Sequence, residues 1–196
     1  MLLIELNAKC VDRMSNKLVD ICVNLTDGVF SGKEKTIIDE ANKNGVTKMV
    51  LVGNNLESSK KVSKLAEQFN LFSTAGYHPH NAKDWDEKSY NELLEIIKLK
   101  QVKAVGECGL DFNRNFSTPE IQNTVFLDHI ALAKETKLPL FVHERDAFHQ
   151  MHSILKENID ECENIVVHCF TGTKNSLIDY LDLGVHIGLT GWVCDD

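Results

Sequence analysis

The sequence predicts an α/β fold of the TIM type, a (β/α) barrel with about seven parallel strands and its last β/α unit absent. Three observations lead there. Apolar, strand-like runs recur along the chain, helix-period segments separate them, and the residues of chemical interest cluster at the C-terminal ends of the runs. Near-continuous hydrophobic strands alternating with helices mean a parallel sheet covered by helices, either doubly wound or closed into a barrel. Seven strands in 196 residues favour the barrel, which has eight when complete.

The first run, KLVDICVNL (17–25), follows 16 residues read as an N-terminal extension, so residues 17–196 are taken as the barrel domain. The second, VTKMVLVG (46–53), follows Gly45, the kind of residue that closes a helix. An amphipathic segment, LESSKKVSKLAEQF, separates it from the third run, LFSTAGYH (71–78). DEKSYNELLEIIKLK then leads to VKAVGECG (102–109), and TPEIQNTVFLDHIALAKETK leads to LPLFVHER (138–145). Several of these helical segments carry Ser, Thr or Asp near their start, where a side-chain oxygen satisfies free N–H groups. NIVVHCF (164–170) is the sixth run, and VHIGLTG (185–191) follows Gly184 as the seventh. The chain stops at GWVCDD, so the eighth unit is expected to be missing and the first and seventh strands to be exposed edges.

A chain with 43% hydrophobic and 26% charged residues has the makeup of an ordinary globular protein with one core. Apolar runs fall short of the ~20 residues of a membrane span. MLLIEL meets Glu5 too soon for a signal-peptide core. The expected location is therefore cytoplasmic, with the nucleus as the alternative, although no basic import-like cluster is present. Six cysteines lie scattered without a C-x-x-C pair and read as reduced thiols. A net charge of -8 argues against a protein that coats duplex phosphates with lysine. It leaves room for an enzyme that brings its own cations.

The last residues of successive runs are Asn24, Asn54, His78 with His80, Glu107 with Asp111, His143 through Asp146, His168 and Thr190. In a parallel barrel these ends share one rim, where barrel enzymes keep their sites. A lone strand-end histidine is an ordinary hydrogen-bonded residue, and Glu107 alone could pair with Arg145 or Arg114. Convergence of four strands on one rim favours a metal site instead. Histidine and carboxylate ligands suit zinc, manganese or magnesium, and a carboxylate can bridge two ions. Two of the three arginines, Arg114 and Arg145, follow the fourth and fifth runs. A planar guanidinium suits phosphate oxygens, while pairing with Asp111 or Asp146 is the structural alternative. His149 and His152 read as a solvated helix face, Cys169 as a packing residue, and Asp195 and Asp196 as no more than chain-end residues.

The stretches DICVNL, STAGYHPH, VGECGLDFNRNFSTPE, HERD, VHCFTGT and IGLTGWVCD resemble the TatD family of metal-dependent deoxyribonucleases, among the amidohydrolase-like TIM barrels. They occur in the family's order from residue 20 to the C-terminus. The resemblance implies that Glu107 is a catalytic carboxylate shared by two divalent ions, Mg²⁺, Mn²⁺ or Zn²⁺, and that His143 and His168 are further metal ligands. It implies a phosphate contact at His78, beside which Arg114 and Arg145 would position the phosphate. The implied partner is DNA, mainly single-stranded ends, cut by 3′–5′ hydrolysis of phosphodiester bonds. The glycines around Glu107 are expected to let the chain turn at the rim.

Two departures qualify the resemblance. Asp20, Cys22 and Asn24 stand where many relatives carry a D-x-H-x-H strand, which implies a weaker first metal site. The family's eighth-strand aspartate, which handles the proton of the attacking water, has no counterpart up to residue 196. Two other readings follow: a non-catalytic truncated isoform or fragment, and a metal-dependent small-molecule hydrolase on the same barrel.

Overall fold

The computed structural model describes residues 17–26 and 28–194; the N-terminal extension, Cys10, Asp195 and Asp196 lie outside them. Seven strands form one sheet: β1 (Leu18–Val23), β2 (Val46–Leu51), β3 (Phe72–Ala75), β4 (Val102–Asp111), β5 (Leu140–Arg145), β6 (Ile165–His168) and β7 (His186–Ile187). Helices α1 (Glu34–Lys43), α2 (Leu56–Phe69), α3 (Ser89–Ile97), α4 (Pro119–Thr136), α5 (Phe148–Asn158) and α6 (Lys174–Asp182) connect them. Each strand pairs in parallel with the next, in the order β1 to β7. A doubly wound sheet reverses its strand order at a switch point. Strictly sequential order is that of a barrel, here an open arc in which, among the described residues, β1 and β7 are unpaired with each other.

Local chemistry accounts for the helix starts. Asn55 accepts the Ser58 N–H at 2.8 Å while the Ser58 hydroxyl accepts the Asn55 N–H at 3.0 Å, a reciprocal cap that fixes the first turn of α2. Thr118 caps α4 ahead of Pro119, whose missing N–H costs nothing there, and Thr173 caps α6. Asn70 and Lys137 end α2 and α4 in the left-handed conformation.

The largest core lies between the β3–β6 arc and α3–α6, with Leu93, Leu110, Phe126, Leu140, Met151 and Tyr180 wholly enclosed. A smaller cluster, Leu25, Ile38, Met49, Leu51, Val62 and Ala66, packs α1 and α2 against β1 and β2.

At β4 the structure corrects one expectation. The glycines around Glu107 do not turn the chain: β4 runs through both of them to Asp111. Gly106 and Gly109 have φ of 138° and 131°, and a Cβ at either would strike the backbone carbonyl of Phe141 or His143 on β5. The pairing register shifts between Gly106 and Cys108. The glycines thus admit a bulge in close contact with β5, and bulges re-aim side chains beside active sites.

Candidate metal centre

Parallel pairing brings the strand ends of the central arc to one rim. His143 on β5 lies in register with Gly109 on β4 and with His168 on β6. His78 starts the short 3₁₀ segment Pro79–Asp84 that follows β3, its N–H held by the Asn54 carbonyl at 2.9 Å. Glu107 is 9% exposed and His168 is 7% exposed. This carboxylate is therefore almost dry and needs partners.

Those partners are histidines, not arginines. Glu107 Oε1 lies 2.6 Å from His168 Nε2, 3.3 Å from His143 Nδ1 and 3.4 Å from His78 Nε2. A second buried carboxylate stands behind the first. Asp111 Oδ2 is 2.6 Å from His80 Nε2 and 3.4 Å from His143 Nε2. Its Oδ1 accepts the N–H groups of Asn113 and Arg114 at 3.0 and 2.8 Å. His143 thus bridges two acids, one at each ring nitrogen, an arrangement that fixes ring orientation where a histidine serves a metal.

Protonation follows from this enclosure. Burial alone would raise the Glu107 carboxyl, but hydrogen bonds from His143 and His168 overcome it and hold the group well below its usual range. Burial also disfavours charge on His143, yet its bonds to Asp111 and Glu107 win and raise it to about 9. For His78 burial outweighs the attraction of Glu107 and pushes it down to about 3. Its Nδ1 accepts the His80 N–H at 3.1 Å, and its Nε2 faces Glu107.

The donor set fits a divalent ion. One ligand atom each from His78, Glu107 and His143 lies within 4.8 Å of the others. Among the described residues the enclosed His168 Nδ1 has no hydrogen-bond partner. Nitrogen and carboxylate oxygen together suit zinc or manganese, and oxygen suits magnesium.

The remaining expected residues lie around this centre. Arg114 and Arg145 are exposed, and among the described residues neither guanidinium forms an ion pair with Asp111, Asp146 or Glu107. Asp111 takes the Arg114 backbone N–H, Asp146 takes the Asn113 side-chain amide at 2.7 Å, and Arg145 borders a cavity beside Glu144, Asp146 and Thr173. His149 and His152 pack against Phe148. Cys169 sits 3.6 Å from the Thr190 hydroxyl. Cys22, Cys108, Cys162, Cys169 and Cys194 are free, and burial pushes the Cys22 thiol up to about 12.

Two functional supports went unread in the sequence. Asp111 is a partner of His80 and His143 rather than of an arginine; the second histidine of His-Pro-His was the available clue. His129, on α4, carried no signal at all. It is wholly buried, its Nε2 accepts the Tyr77 N–H at 2.9 Å and its Nδ1–H donates to the Val125 carbonyl at 2.7 Å. It therefore pins the backbone immediately before His78.

An open (β/α) barrel with such a cluster at the C-terminal rim of its strands has the architecture of the metal-assisted barrel hydrolases. The chain belongs to the TatD related DNase family, which it matches over residues 19–196. Members of that family are nucleases, enzymes that hydrolyse phosphodiester bonds. A Klebsiella pneumoniae protein named 3'-5' ssDNA/RNA exonuclease TatD is 42% identical over 180 residues, covering 91% of this chain and 68% of the relative. The crystal structure of a TatD family hydrolase from Entamoeba histolytica superimposes with a TM-score of 0.84 at 28% identity, over 91% of this chain and 66% of that one. A TatD homologue from Escherichia coli gives 0.83 at 28% identity, over 89% and 68%. Among the described residues no helix is long and apolar enough to cross a membrane.

Proposed function

We propose that the chain, as one domain over residues 17–196, is a cytoplasmic, metal-dependent deoxyribonuclease that degrades single-stranded DNA ends from 3′ to 5′. The observation that carries this reading is the Glu107 carboxylate, buried with His78, His143 and His168 within 3.4 Å. The named activity of the relatives supplies the substrate class, and it makes RNA the second nucleic acid to test.

Bound divalent ions would neutralise charge on the phosphoryl oxygens and lower the pKa of a water, and two could share Glu107. The chain's own residues do the rest. Glu107, His143 and His168 would hold the ions, and Asp111 keeps His143 in the orientation that faces Glu107. His78, with little tendency to protonate, lies beside the reacting phosphate and offers it a neutral ring. Arg114, exposed on the loop after β4, and Arg145, exposed at the end of β5, meet neighbouring phosphates with paired N–H donors. Such contacts position a strand end without reading bases.

The test is digestion of a 3′-OH single-stranded DNA and its RNA counterpart in Mg²⁺, Mn²⁺ or Zn²⁺, with an EDTA control. Glu107→Ala should lower the rate by about 10³-fold or more while leaving the circular dichroism spectrum unchanged. A folded chain that cuts neither substrate with any of the three ions, or a Glu107→Ala variant near the parent rate, overturns the reading.

A further inference from the structure

The cavity that opens onto Glu107 has a volume of about 610 Å³ and is lined by Asn24, Asn54, His78, Lys83, Glu107 and Phe116. All but Phe116 are polar. Phe116 stands at this mouth with 55% of its surface exposed, next to the buried end of β4.

Its exposure does not come from a loose loop. On one side Asn115 adopts the left-handed conformation, φ 50°, and donates its side-chain amide to the Phe112 carbonyl at 2.6 Å. On the other, Ser117 is buried, and its hydroxyl accepts the Lys83 N–H at 2.9 Å. The Ser117 carbonyl accepts from Gln122 Nε2 at 2.8 Å. Gln122 also joins both backbone groups of Asp111, accepting its N–H at 2.8 Å and donating to its carbonyl at 3.1 Å. The backbone around Phe116 is thus tied to the backbone of Asp111, whose carboxylate stands behind the metal centre. The ring itself stands at 80° to the His80 imidazole, 4.8 Å between centroids.

We propose that Phe116 is the stacking platform for the nucleobase at the end of the bound strand, seating the nucleotide whose phosphate reaches Glu107. The proposal rests on the nuclease reading and names the part of the substrate held at that site. A fixed aromatic face takes any base, because every base has a π-face, and prepaying its ordering in the free protein strengthens binding. Asn24 and Asn54 engage their Oδ1 atoms with Thr26 and Ser58, which turns their amide N–H groups to other acceptors.

The experiment compares two 3′-OH single-stranded DNAs, one ending in a normal nucleotide and one ending in an abasic residue, with Mn²⁺ as the ion. For the parent chain KM should be about tenfold lower on the base-ended strand. Phe116→Ala should raise KM about tenfold on that strand and leave KM on the abasic-ended strand unchanged, with kcat altered less than about twofold. Phe116→Trp should restore the preference, and Phe116→Leu, which keeps apolar bulk without a π-face, should not. Equal KM values for the two strands in the parent chain, or an equal loss on both strands in Phe116→Ala, overturns the platform while leaving the nuclease reading intact. If the parent chain cuts neither strand, both the nuclease reading and the platform fall.

Discussion

The two sides of the open barrel differ in how they treat polar groups. Along the β3–β6 arc, β4 is buried over almost its whole length, and two carboxylates are held among four histidines with little water. In β1 itself no residue is fully buried, and Asn24, the strand-end residue there, is exposed and, among the described residues, bonds within its own turn. Where the family resemblance leads one to expect histidines, this strand and its end carry Cys22 and Asn24. Charge is concentrated where the protein has removed competing water, and there each pair governs structure and chemistry together.

The largest difference between the sides should come from Asp111. Asp111→Asn keeps the size of the side chain but removes the charge that faces His80 and His143. Loss of such a supporting carboxylate lowers metal affinity by about 10–100-fold. Calorimetric titration with Mn²⁺ reads this directly, with kcat and KM measured alongside. Affinity unchanged within about twofold would show that His143 needs no support from behind, and would erase the contrast with the β1 rim.

His129 provides the next test, on stability. Burial pushes its pKa down from 6.5 to about 4 in the folded chain. The rings of Tyr77 and Trp85 face it, and the neighbouring Asp128 is occupied with the Trp85 indole N–H at 2.9 Å. Between those pKa values the unfolded chain binds the extra proton. Stability from the neutral ring is therefore complete above pH ~6.5 and is lost as pH falls through 4, by on the order of 3 kcal/mol. His129→Gln keeps an acceptor for the Tyr77 N–H but cannot titrate. Urea unfolding at pH 7.5 and pH 5 should show a smaller acid loss in the variant, and equal losses would mean that His129 is not held neutral.

How much of this was readable depended on the distance over which each feature is determined. α2 spans LESSKKVSKLAEQF to the residue, because Asn55, Ser58 and Asn70 set both ends locally. His78, Glu107, His143 and His168 were legible because residues ending parallel strands must share a rim. The seventh run shrinks to His186–Ile187, since among the described residues it pairs with β6 alone. Glycine's two uses look alike in sequence, so the bulge in β4 read as a turn. Asp111 was read as a rim residue beside Glu107, with an arginine pair as the structural alternative; the structure gives its side chain to His80 and His143. His129 was invisible because its partner, the Tyr77 N–H, is 52 residues away.

The smallest effect sets the other end of the comparison. Lys35 Nζ and Asp39 Oδ2 on α1 are 2.6 Å apart, the same separation as His168 Nε2 and Glu107 Oε1. Distance alone ranks them equal. The side chains of Lys35 and Asp39 are 74% and 49% exposed, against 7% and 12% for His168 and Glu107. Water screens the first pair and leaves only the weak gain of an i,i+4 contact, so Lys35→Ala should cost less than about 0.5 kcal/mol. The buried pair stands under the opposite regime, in which removing one partner strands a desolvated charge on the other. Thermal unfolding of Lys35→Ala checks this. A loss above about 1 kcal/mol would mean that the α1 face is drier and stiffer than its exposure implies, and that the two sides differ less than the contrast requires.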